Sequence, residues 1–433
     1  MKLWQKESTS VSALIEEFTV GNDRDFDLLL AKYDVQGSIA HVTMLGEVGL
    51  MTKEESEAAI AALQQIAEEI EKGEFSIDPS SEDIHSQIEF LLTSRIGETG
   101  KKIHSGRSRN DQVAVDIKLY LREEILRIKT GSLKLFDLLI SQSNRFKDHL
   151  LPGYTHLQIA MPSSFGLWLG AYAESLVDDL ELLAAAYHIT NKNPLGSGAG
   201  YGSSFPLSRR RTTELLGFAD LNYNSVYAQM SRGKTEKTVA MAISGIAASI
   251  GRLAMDCCLY LNQNFNFISF PPELTTGSSI MPHKKNPDVF ELIRARCNRI
   301  LSVPNELSLL LANLPSGYHR DLQLTKEILF PAIESLKACL EMSVLMISKM
   351  EVRENILSDE KYKYLFSVEA VNDLVNQGIP FREAYRQVGN DIESGHFHYD
   401  YTKGLHHTHE GSIGYPSNEQ VKKMMDGVTA KFQ

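Results

Sequence analysis

The chain has 433 residues, of which 43 % are hydrophobic and 23 % charged, so it is long enough for two or three domains with ample cores. Its formal net charge of −11 argues against a broad surface for nucleic acid or membrane, so we expect neither as a partner. A local group of Lys and Arg side chains can still outweigh that global sign and bind a small anion.

The cysteines and the N-terminal residues indicate where in the cell the protein is located. Cys257, Cys258, Cys297 and Cys339 lie in apolar stretches without metal-ligand spacing, which indicates buried reduced thiols. The segment Met1–Glu7 lacks the apolar core of an export signal, and no run is expected to approach transmembrane length. We therefore expect a soluble, cytoplasmic protein.

The first clear helix start is a capping box formed by Thr52 and Glu55. Apolar residues follow at helical spacing as far as Ile70, and Gly73 and Pro79 end the pattern. A second, shorter apolar-periodic stretch follows the charged run Glu82–His85.

A dense polar cluster covers His104 to Gln112 and contains two arginines, an asparagine and two serines around Gly106. Guanidinium groups bind carboxylates bidentately, and the cluster precedes a helix whose free N–H groups favour anions. The sequence therefore indicates a carboxylate-binding segment, with a charged capping loop as the alternative.

Five long helical patterns dominate the rest of the chain, and Pro331 is the one internal proline that we expect among them, near a helix start where it is tolerated. Without a convincing alternating strand pattern, they predict an all-α bundle. Their apolar stripes are wide, so we expect subunits to share the bundle in an oligomer. The patterns run from Val113 to Phe146, Ser164 to Tyr187, Lys234 to Leu261, Val289 to Leu311 and Lys326 to Met350.

Shorter segments connect and follow these helices. A Gly/Pro-bounded loop carries Thr155 and His156, and an imidazole there could transfer protons. The glycines at 196, 198, 200 and 202 lack the preceding strand of a dinucleotide site and indicate a flexible loop. We predict domains at 1–104, 105–350 and 351–433. The last contains His396, His398, His406, His407 and His409, whose irregular spacing leads us to expect no metal site.

The segment Thr275–Asp288 is the strongest candidate for a catalytic loop. Gly277 permits a sharp turn, Ser278 and Ser279 supply hydroxyls, and Lys284 brings positive charge close to them. An ammonium and free N–H groups can stabilise a serine alkoxide. A solvated Ser/Lys loop is the alternative.

Gly277 to Pro287 matches Gly-Ser-Ser-x-Met-Pro-x-Lys-x-Asn-Pro, and this segment resembles the signature of the fumarase/aspartase superfamily. Members of that superfamily cleave C–N or C–O bonds and release fumarate. Within it, His104–Gln112, Lys284–Asp288 and the positions of Tyr318, Gln323 and Lys326 resemble the argininosuccinate lyase family. Weaker likeness covers Tyr33 to Leu45, Ser81 to Glu89 and Pro380 to Ala384, so the similarity spans nearly the whole chain.

The resemblance implies a fold and a reaction. It implies three helical domains, with the long central bundle shared between the subunits of a homotetramer and each active site assembled from three subunits. The reaction is an anti β-elimination that splits argininosuccinate into arginine and fumarate, the last step of arginine biosynthesis. No cofactor and no metal is implied.

The resemblance also implies roles for individual residues. Ser278 is the expected base, and Lys284 and Asn286 stabilise the aci-carboxylate intermediate. His156 is expected to pair with Glu291 as an acid or as a group that fixes a water. The expected ligands of the fumarate half are Ser108, Arg109, Asn110 and Thr155, and those of the arginine half are Asp27, Tyr318, Gln323 and Lys326.

The chain departs from the family pattern at a few positions, which leaves two alternatives open. Asp23 replaces a substrate-contacting Ser, His283 replaces Gln, and Tyr227, Met230 and Gly233 replace Asp, Ser and Asp. The alternatives are a lyase acting on another N-succinyl or aspartyl adduct, such as adenylosuccinate, and a non-catalytic homologue related as lens crystallins are.

Overall fold

The computed structural model describes residues 13–79, 81–405 and 407–432. Most of them are helical, which confirms the all-α prediction. The α-helices are α1 (Ala13–Val20), α2 (Asp23–Glu47), α3 (Lys53–Glu71), α4 (Ile84–Ile96), α5 (Glu98–Lys101), α6 (Arg109–Arg145), α7 (Phe165–Thr190), α8 (Arg209–Leu215), α9 (Ser225–Met230), α10 (Lys234–Leu261), α11 (Asp288–Ile300), α12 (Val303–Leu310), α13 (Thr325–Ser348), α14 (Ser367–Asn376), α15 (Phe381–Glu393) and α16 (Asn418–Thr429).

Six short strands form three two-stranded sheets in the described residues. We did not expect strands, because four of these segments have only two residues and the two longer ones show no regular alternation of buried and exposed positions. The strands are β1 (Leu150–Thr155), β2 (Gln158–Ser164), β3 (Lys192–Asn193), β4 (Asp220–Leu221), β5 (Ile268–Ser269) and β6 (Glu351–Val352); β1 pairs with β2 and β5 with β6 antiparallel, and β3 with β4 parallel.

Helices α6, α7, α10, α11 and α13 pack against one another as the central bundle and supply most of the largest hydrophobic core. Helix α6 has 37 residues and is therefore about 55 Å long. Its stripe of Ile117, Leu121 and Ile125 is fully buried, as the helical period predicts. The bundle thus provides the rigid frame from which the other elements project.

The expectation of one helix from Val289 to Leu311 is wrong. Helix α11 ends at Ile300, and α12 begins at Val303 with Pro304 in its first turn. A proline lacks the N–H that an unbroken helix would need there and clashes with the preceding turn, so the chain restarts instead. Pro331, by contrast, lies inside α13, six residues after its first residue Thr325 and so beyond the first turn, where a proline is best tolerated.

A second core lies among the N-terminal helices α2, α3 and α4 and includes Leu45, Leu63 and Ile84. The capping box at the start of α3 is present, with Glu55 N–H donating to Thr52 Oγ1 at 3.2 Å and Thr52 N–H to Glu55 Oε2 at 3.0 Å. Helix α2 also packs on α6 and α13, so this N-terminal layer is attached to the bundle.

Helix α10 is long and apolar enough to cross a membrane by length and composition, so our expectation that no run approaches that length was wrong. Half of its most apolar window is nevertheless buried against other helices. Such burial is typical of the core helix of a bundle.

The C-terminal segment does not form one isolated unit. Helices α14 and α15 share a small core of Val371, Ala384 and Val388, whereas α16 packs on α7 and contributes Val421 and Met425 to the main core. The boundaries at 104 and 351 therefore remain predictions.

The contact between the start of α7 and the end of α6 requires a glycine. A Cβ at Gly166 would lie 2.5 Å from Lys147 Cα and 2.7 Å from the Ser143 carbonyl oxygen. We expect Gly166→Ala to lower the free energy of unfolding by about 1–3 kcal/mol, since the two backbones must separate. Chemical denaturation followed by circular dichroism, at one fixed protein concentration, measures this change.

Gly389→Ala is the matched control. Gly389 lies within α15, and a Cβ there would meet nothing within 4 Å. Alanine should stabilise this helix by about 0.5–1 kcal/mol, because it loses less backbone entropy on folding. Equal effects of the two substitutions would contradict the packing argument.

Candidate active site

A cavity of about 260 Å³ lies where α2, α4, the start of α6 and the segment before α13 meet. Its lining is rich in both acidic and basic side chains, which suits a ligand that carries charges of both signs. The residues around it are Val20, Asp23, Asp27, Glu82, Asp83, His85, Arg109, Asn110, Val113, Arg232, Tyr318, Arg320, Gln323 and Lys326.

Lys326 lies at one wall of the cavity and is almost completely buried. Its ammonium contacts the carboxylate of Asp27 and lies 2.7 Å from Asp23 Oδ1. Burial alone would lower the pKa of Lys326, but the two carboxylates outweigh it and raise the pKa above its ordinary value. The lysine therefore stays charged in the folded protein.

Arg109, expected to bind the fumarate half, is already engaged by the protein. Its guanidinium lies 3.0 Å from Glu82 Oε2 and 3.2 Å from Asp83 Oδ2, and it donates to Ser86 Oγ at 2.9 Å. These contacts fix the segment before α4 against the start of α6. Asn110 lines the same cavity beside it, and within the described part of the chain its side chain makes no hydrogen bond.

The start of α6 is itself tightly capped. Asn110 N–H donates to Ser108 Oγ at 3.3 Å, and Ser108 N–H donates to Asp111 Oδ1 at 2.8 Å. Asp111 Oδ2 accepts from the N–H groups of Gly196 and Gly198, both at 2.9 Å. The glycine loop is therefore held by a buried carboxylate, contrary to our expectation of a flexible loop.

Behind the cavity lies a buried network of charges. His85 Nδ1 is hydrogen-bonded to Asp34, and Asp34 accepts from Ser38 Oγ at 3.3 Å. Burial would lower the pKa of His85, but Asp34 outweighs it and raises the pKa; His85 in turn overcomes burial and lowers the pKa of Asp34. Burial and Asp34 together raise the pKa of Asp116 well above its ordinary value.

Asp34, His85 and Asp116 are also the one group of described residues with the spacing of a metal site, their ligand atoms lying within 4.8 Å of one another. The hydrogen bonds among them and the nearby positive charge of Arg107 fit a closed ion-pair network better than a dication site. In the C-terminal segment, His407 Nε2 lies 3.2 Å from Glu369 Oε1, and His406 lies outside the described residues.

Thr155 and His156 lie at the exposed tip of the hairpin formed by β1 and β2. Thr155 pairs with Gln158, so His156 and Leu157 form a two-residue turn, with φ of 54° and 59°. Both thus adopt the left-handed conformation that a type I′ turn requires, at a cost of roughly 1–2 kcal/mol each. Such strain is typical of functional positions.

The loop from Thr275 to Pro287 leaves the bundle between β5 and α11. Asn286 N–H donates to the Thr276 carbonyl at 2.8 Å and closes the base of the loop. Ser278 Oγ accepts the N–H groups of Met281 at 3.1 Å and Ile280 at 3.4 Å. Lys284 is exposed, and no ion pair involving it is found in the described residues.

A single chain places some of the expected site residues around the cavity and leaves the others outside it. Six of the expected substrate-binding residues line the cavity: Asp27, Arg109, Asn110, Tyr318, Gln323 and Lys326. Ser278, Lys284, Asn286, His156, Glu291, Thr155 and Ser108 do not line it. Among the described residues of one chain, no hydrogen bond or ion pair joins His156 to Glu291.

Sequence reasoning did not assign Glu82, Asp83, His85, Arg232 and Arg320 to the cavity. The charged run before α4 and the polar break before α13 were signals for four of them. Arg232 had no such signal, because its place depends on the turn between α9 and α10.

The chain matches a family model described as lyase over residues 6–302. It is similar to curated proteins named argininosuccinate lyase. That of Parabacteroides distasonis is 59 % identical over 431 residues, covering 100 % of this chain and 96 % of that protein. That of Bacteroides thetaiotaomicron is 57 % identical over the same shares. That of Thermotoga neapolitana is 41 % identical over 89 % of this chain and 97 % of that protein.

Solved structures with a similar fold include an EDDS lyase in complex with formate, with a TM-score of 0.76 and 24 % identity over 98 % of this chain and 91 % of that one. A class II fumarase from Schistosoma mansoni has a TM-score of 0.71 and 16 % identity over 98 % and 97 %. At these identities the likeness establishes the fold alone.

The buried pair of His85 and Asp34 gives a stability prediction. We expect Asp34→Asn to lower the free energy of unfolding by about 3–5 kcal/mol, because it leaves a buried imidazolium without its partner. The raised pKa of His85 gives stability that is lost as pH rises above about 6.5, and the lowered pKa of Asp34 gives stability that is lost as pH falls below about 4. The loss should therefore be largest between about pH 4 and pH 6.5, as denaturation series measure.

Lys53→Gln is the control. Lys53 Nζ lies 3.8 Å from Glu57 Oε1, with both side chains more than half exposed, so its loss should change stability by less than about 0.5 kcal/mol. A loss in Asp34→Asn that did not vary between pH 4 and pH 9 would contradict the ion pair.

Proposed function

This chain belongs to the argininosuccinate lyase family, and on that premise we propose that it cleaves argininosuccinate to arginine and fumarate. The observation that carries the proposal is the 59 % identity over the full chain, which reaches every segment of the expected site. The reaction is the last step of arginine biosynthesis. A mixed-charge cavity suits a substrate with carboxylates, an ammonium and a guanidinium.

The elimination needs a base, and it needs a strongly positive electrostatic environment for the intermediate. The base removes a proton from the succinyl Cβ, the charge spreads into the adjacent carboxylate as an aci-carboxylate, and the C–N bond then breaks. A proton α to a carboxylate is a very weak acid, so the dianionic intermediate depends on fixed positive charge and N–H donors.

Ser278 is the proposed base, and its surroundings in the loop support that role. Two backbone N–H groups already point at its hydroxyl oxygen, so a serine alkoxide would be stabilised without rearrangement. Lys284 lies six residues further along and supplies the positive charge. Asn286 Nδ2 donates to the Gly277 carbonyl at 3.3 Å and holds the turn that presents Ser278.

Thr155 and His156 are proposed to meet Ser278 across subunits. The hairpin tip and the loop both project away from the helix bundle. Leu157 at the tip of the hairpin is 77 % exposed, and Ile280 in the loop is 83 % exposed. Apolar side chains this exposed are typical of surfaces covered by a partner. Glu291 on α11 is the proposed partner of the imidazole, which it would orient.

We propose a homotetramer for the same reason. The outer faces of the bundle helices carry exposed apolar side chains, among them Leu182 at 57 %, Met241 at 56 % and Leu292 at 58 %. A shared bundle would cover them and bring three subunits to each site. The free cysteines of the described chain suit a reducing cytoplasm, which is the proposed location.

Substitution of Ser278 tests whether its hydroxyl is the base of the elimination. We expect Ser278→Ala to lower kcat by at least about 10³-fold while argininosuccinate still binds, because the cavity that holds the substrate is unchanged. Fumarate release followed by ultraviolet absorbance measures turnover, and calorimetry measures binding. Ser279→Ala, in the neighbouring exposed residue, should lose far less activity.

Two outcomes would contradict these assignments. Equal losses in the two serine variants would mean that the loop conformation matters rather than the Ser278 hydroxyl. A wild-type protein that releases fumarate from adenylosuccinate but not from argininosuccinate would exclude the proposed substrate.

Mixing two inactive variants tests whether each active site contains residues from more than one subunit. If Ser278 and His156 of one site come from different chains, exchange of subunits between Ser278→Ala and His156→Asn proteins should restore activity to about a quarter of wild type, since about one site in four receives both intact residues. Fumarate release before and after mixing measures it.

A mixture of Ser278→Ala and Lys284→Ala proteins is the matched control. Both residues lie on one loop of one chain, so no combination of subunits gives an intact site, and the mixture should stay inactive. Sites formed within single chains would leave both mixtures inactive.

A further inference from the structure

A second cavity, of about 330 Å³, lies beside the active-site cavity, between the start of α10 and the segment that precedes α13. Arg232 is the one described residue that lines both cavities. Basic side chains contribute much of the polar lining of the second cavity, namely Arg232, Lys234, Lys237 and His319, and none of the described residues that line it is acidic. In a protein with a net charge of −11, such a lining favours a bound anion.

The guanidinium of Arg232 is buried and keeps a donor unused. Its Nε donates to Glu236 Oε1 at 3.1 Å, and its Nη2 donates to the Leu322 carbonyl at 3.2 Å. Its Nη1 is buried as well, but this atom has no hydrogen-bond partner in the described part of the chain. A buried charged donor without a partner is unfavourable, and an anion in the second cavity could accept from it.

Two lysines in the first turn of α10 supply positive charge that the chain does not neutralise. Lys234 and Lys237 are three residues apart and so lie on the same face of the helix. Among the described residues neither ammonium has an ion-pair partner, and Lys234 Nζ lies 5.4 Å from the centre of the Tyr227 ring. Glu236 lies between them in sequence, but its buried carboxylate pairs with Arg232.

The start of α10 adds to this positive potential. The helix has 28 residues, its N-cap is Gly233, and no side chain caps it, so its dipole favours an anion at this end. A Cβ at Gly233 would lie 2.3 Å from Leu311 Cδ2, so the packing excludes the Asp that the family pattern has here. Tyr227 stands at the second position where that pattern has Asp. Both departures remove a carboxylate from the surroundings of Lys234.

We propose that the second cavity is a binding site for a phosphate group, an inference that does not depend on the proposed function. A phosphate carries between about one and two negative charges at neutral pH, which two unpaired lysines can balance. The donors come from the turn before α10, from α10 and from the segment before α13, and a tetrahedral anion can accept from several directions. Apolar residues such as Leu311 and Leu314 form the rest of the wall, so the ligand is inorganic phosphate or a small phosphate monoester.

Equilibrium dialysis of the full chain against radiolabelled inorganic phosphate, at low ionic strength, tests this site. Wild type should bind one phosphate per chain. Lys237→Gln should weaken binding by roughly 10-fold or more, the value of a hydrogen bond between charged groups, whereas Lys237→Arg should stay within about threefold of wild type. Lys422→Gln removes the same charge from an exposed position on α16 and should bind as wild type does. Thermal melts followed by circular dichroism confirm that each variant is folded.

A substitution at Tyr227 tests the electrostatic argument without removing a donor. Tyr227→Asp places a carboxylate beside Lys234 and should weaken phosphate binding by about threefold or more. Tyr227→Asn is the matched control, because it has the same size without the charge, and it should bind phosphate as wild type does. Equal effects of the two substitutions would contradict the argument.

Arg320→Gln distinguishes the two cavities. Arg320 lines the active-site cavity and does not line the second one, so its loss should leave phosphate binding unchanged. If this variant weakens phosphate binding as much as Lys237→Gln does, the phosphate occupies the active-site cavity and the inference is wrong. The inference is also wrong if wild type binds no phosphate, or if Lys237→Gln binds it as tightly as wild type.

Competition against the labelled phosphate identifies the source of the phosphate group. Phenyl phosphate that displaces the label at a lower concentration than unlabelled phosphate would indicate a monoester as the ligand, and weaker displacement would indicate the free anion; either result supports the site. Benzoate has the same ring with a carboxylate in place of the phosphate. If benzoate displaces the label as well as phenyl phosphate does, the cavity does not recognise a phosphate group, and the inference fails.

Discussion

The position of the cavity depends on charge that is buried and balanced behind it. His85 on α4 and Asp34 on α2 are joined by a hydrogen bond, and both side chains are buried. Removing one member would leave the other as a buried charge without a partner, so the pair holds the two helices in one arrangement. Asp116 on α6 lies beside them, with its Oδ2 atom 3.8 Å from His85 Nδ1, so the long bundle helix joins the same network.

The cavity and the two loops that we propose to carry out the chemistry are held in different ways. The cavity walls are held by ion pairs and hydrogen bonds among themselves, as Arg109 with Glu82 illustrates. His156 and Ser278 instead project on a hairpin tip and a loop that are largely exposed in one chain. Even so, local hydrogen bonds fix the shape of each projection, so a partner subunit would meet a formed surface.

The long helices could be predicted from the sequence, because an apolar stripe that repeats over about seven to ten turns admits few other structures. The break at Ser302 could have been predicted as well, since Pro304 is plain in the sequence. The hairpin at His156 could not, because Leu157 in a left-handed conformation contradicts its own preference and depends on the paired strands.

For the site, sequence pattern identified residue types but not their partners. The motif at 104–112 indicated an anion-binding segment, yet Ser108 caps α6, Asp111 holds the glycine loop and Arg109 pairs with acidic residues of the segment before α4. Pairings across more than 20 residues depend on how helices are packed, which periodicity does not contain. The contacts of Lys326 with both Asp23 and Asp27, which are about 300 residues away in the chain, are another example.

One contact of the β1–β2 hairpin has a consequence for the synthesis of the protein. Tyr154, just before the tip, bonds through its hydroxyl to the hydroxyl of Tyr362, 208 residues later in the chain, at 3.2 Å. A ribosome that adds 5–20 residues per second needs roughly 10–40 s to cover that interval. During this time His156 lacks one of the contacts that fix its hairpin. A newly made chain therefore completes the contacts of this hairpin late, after most of the bundle helices have been made.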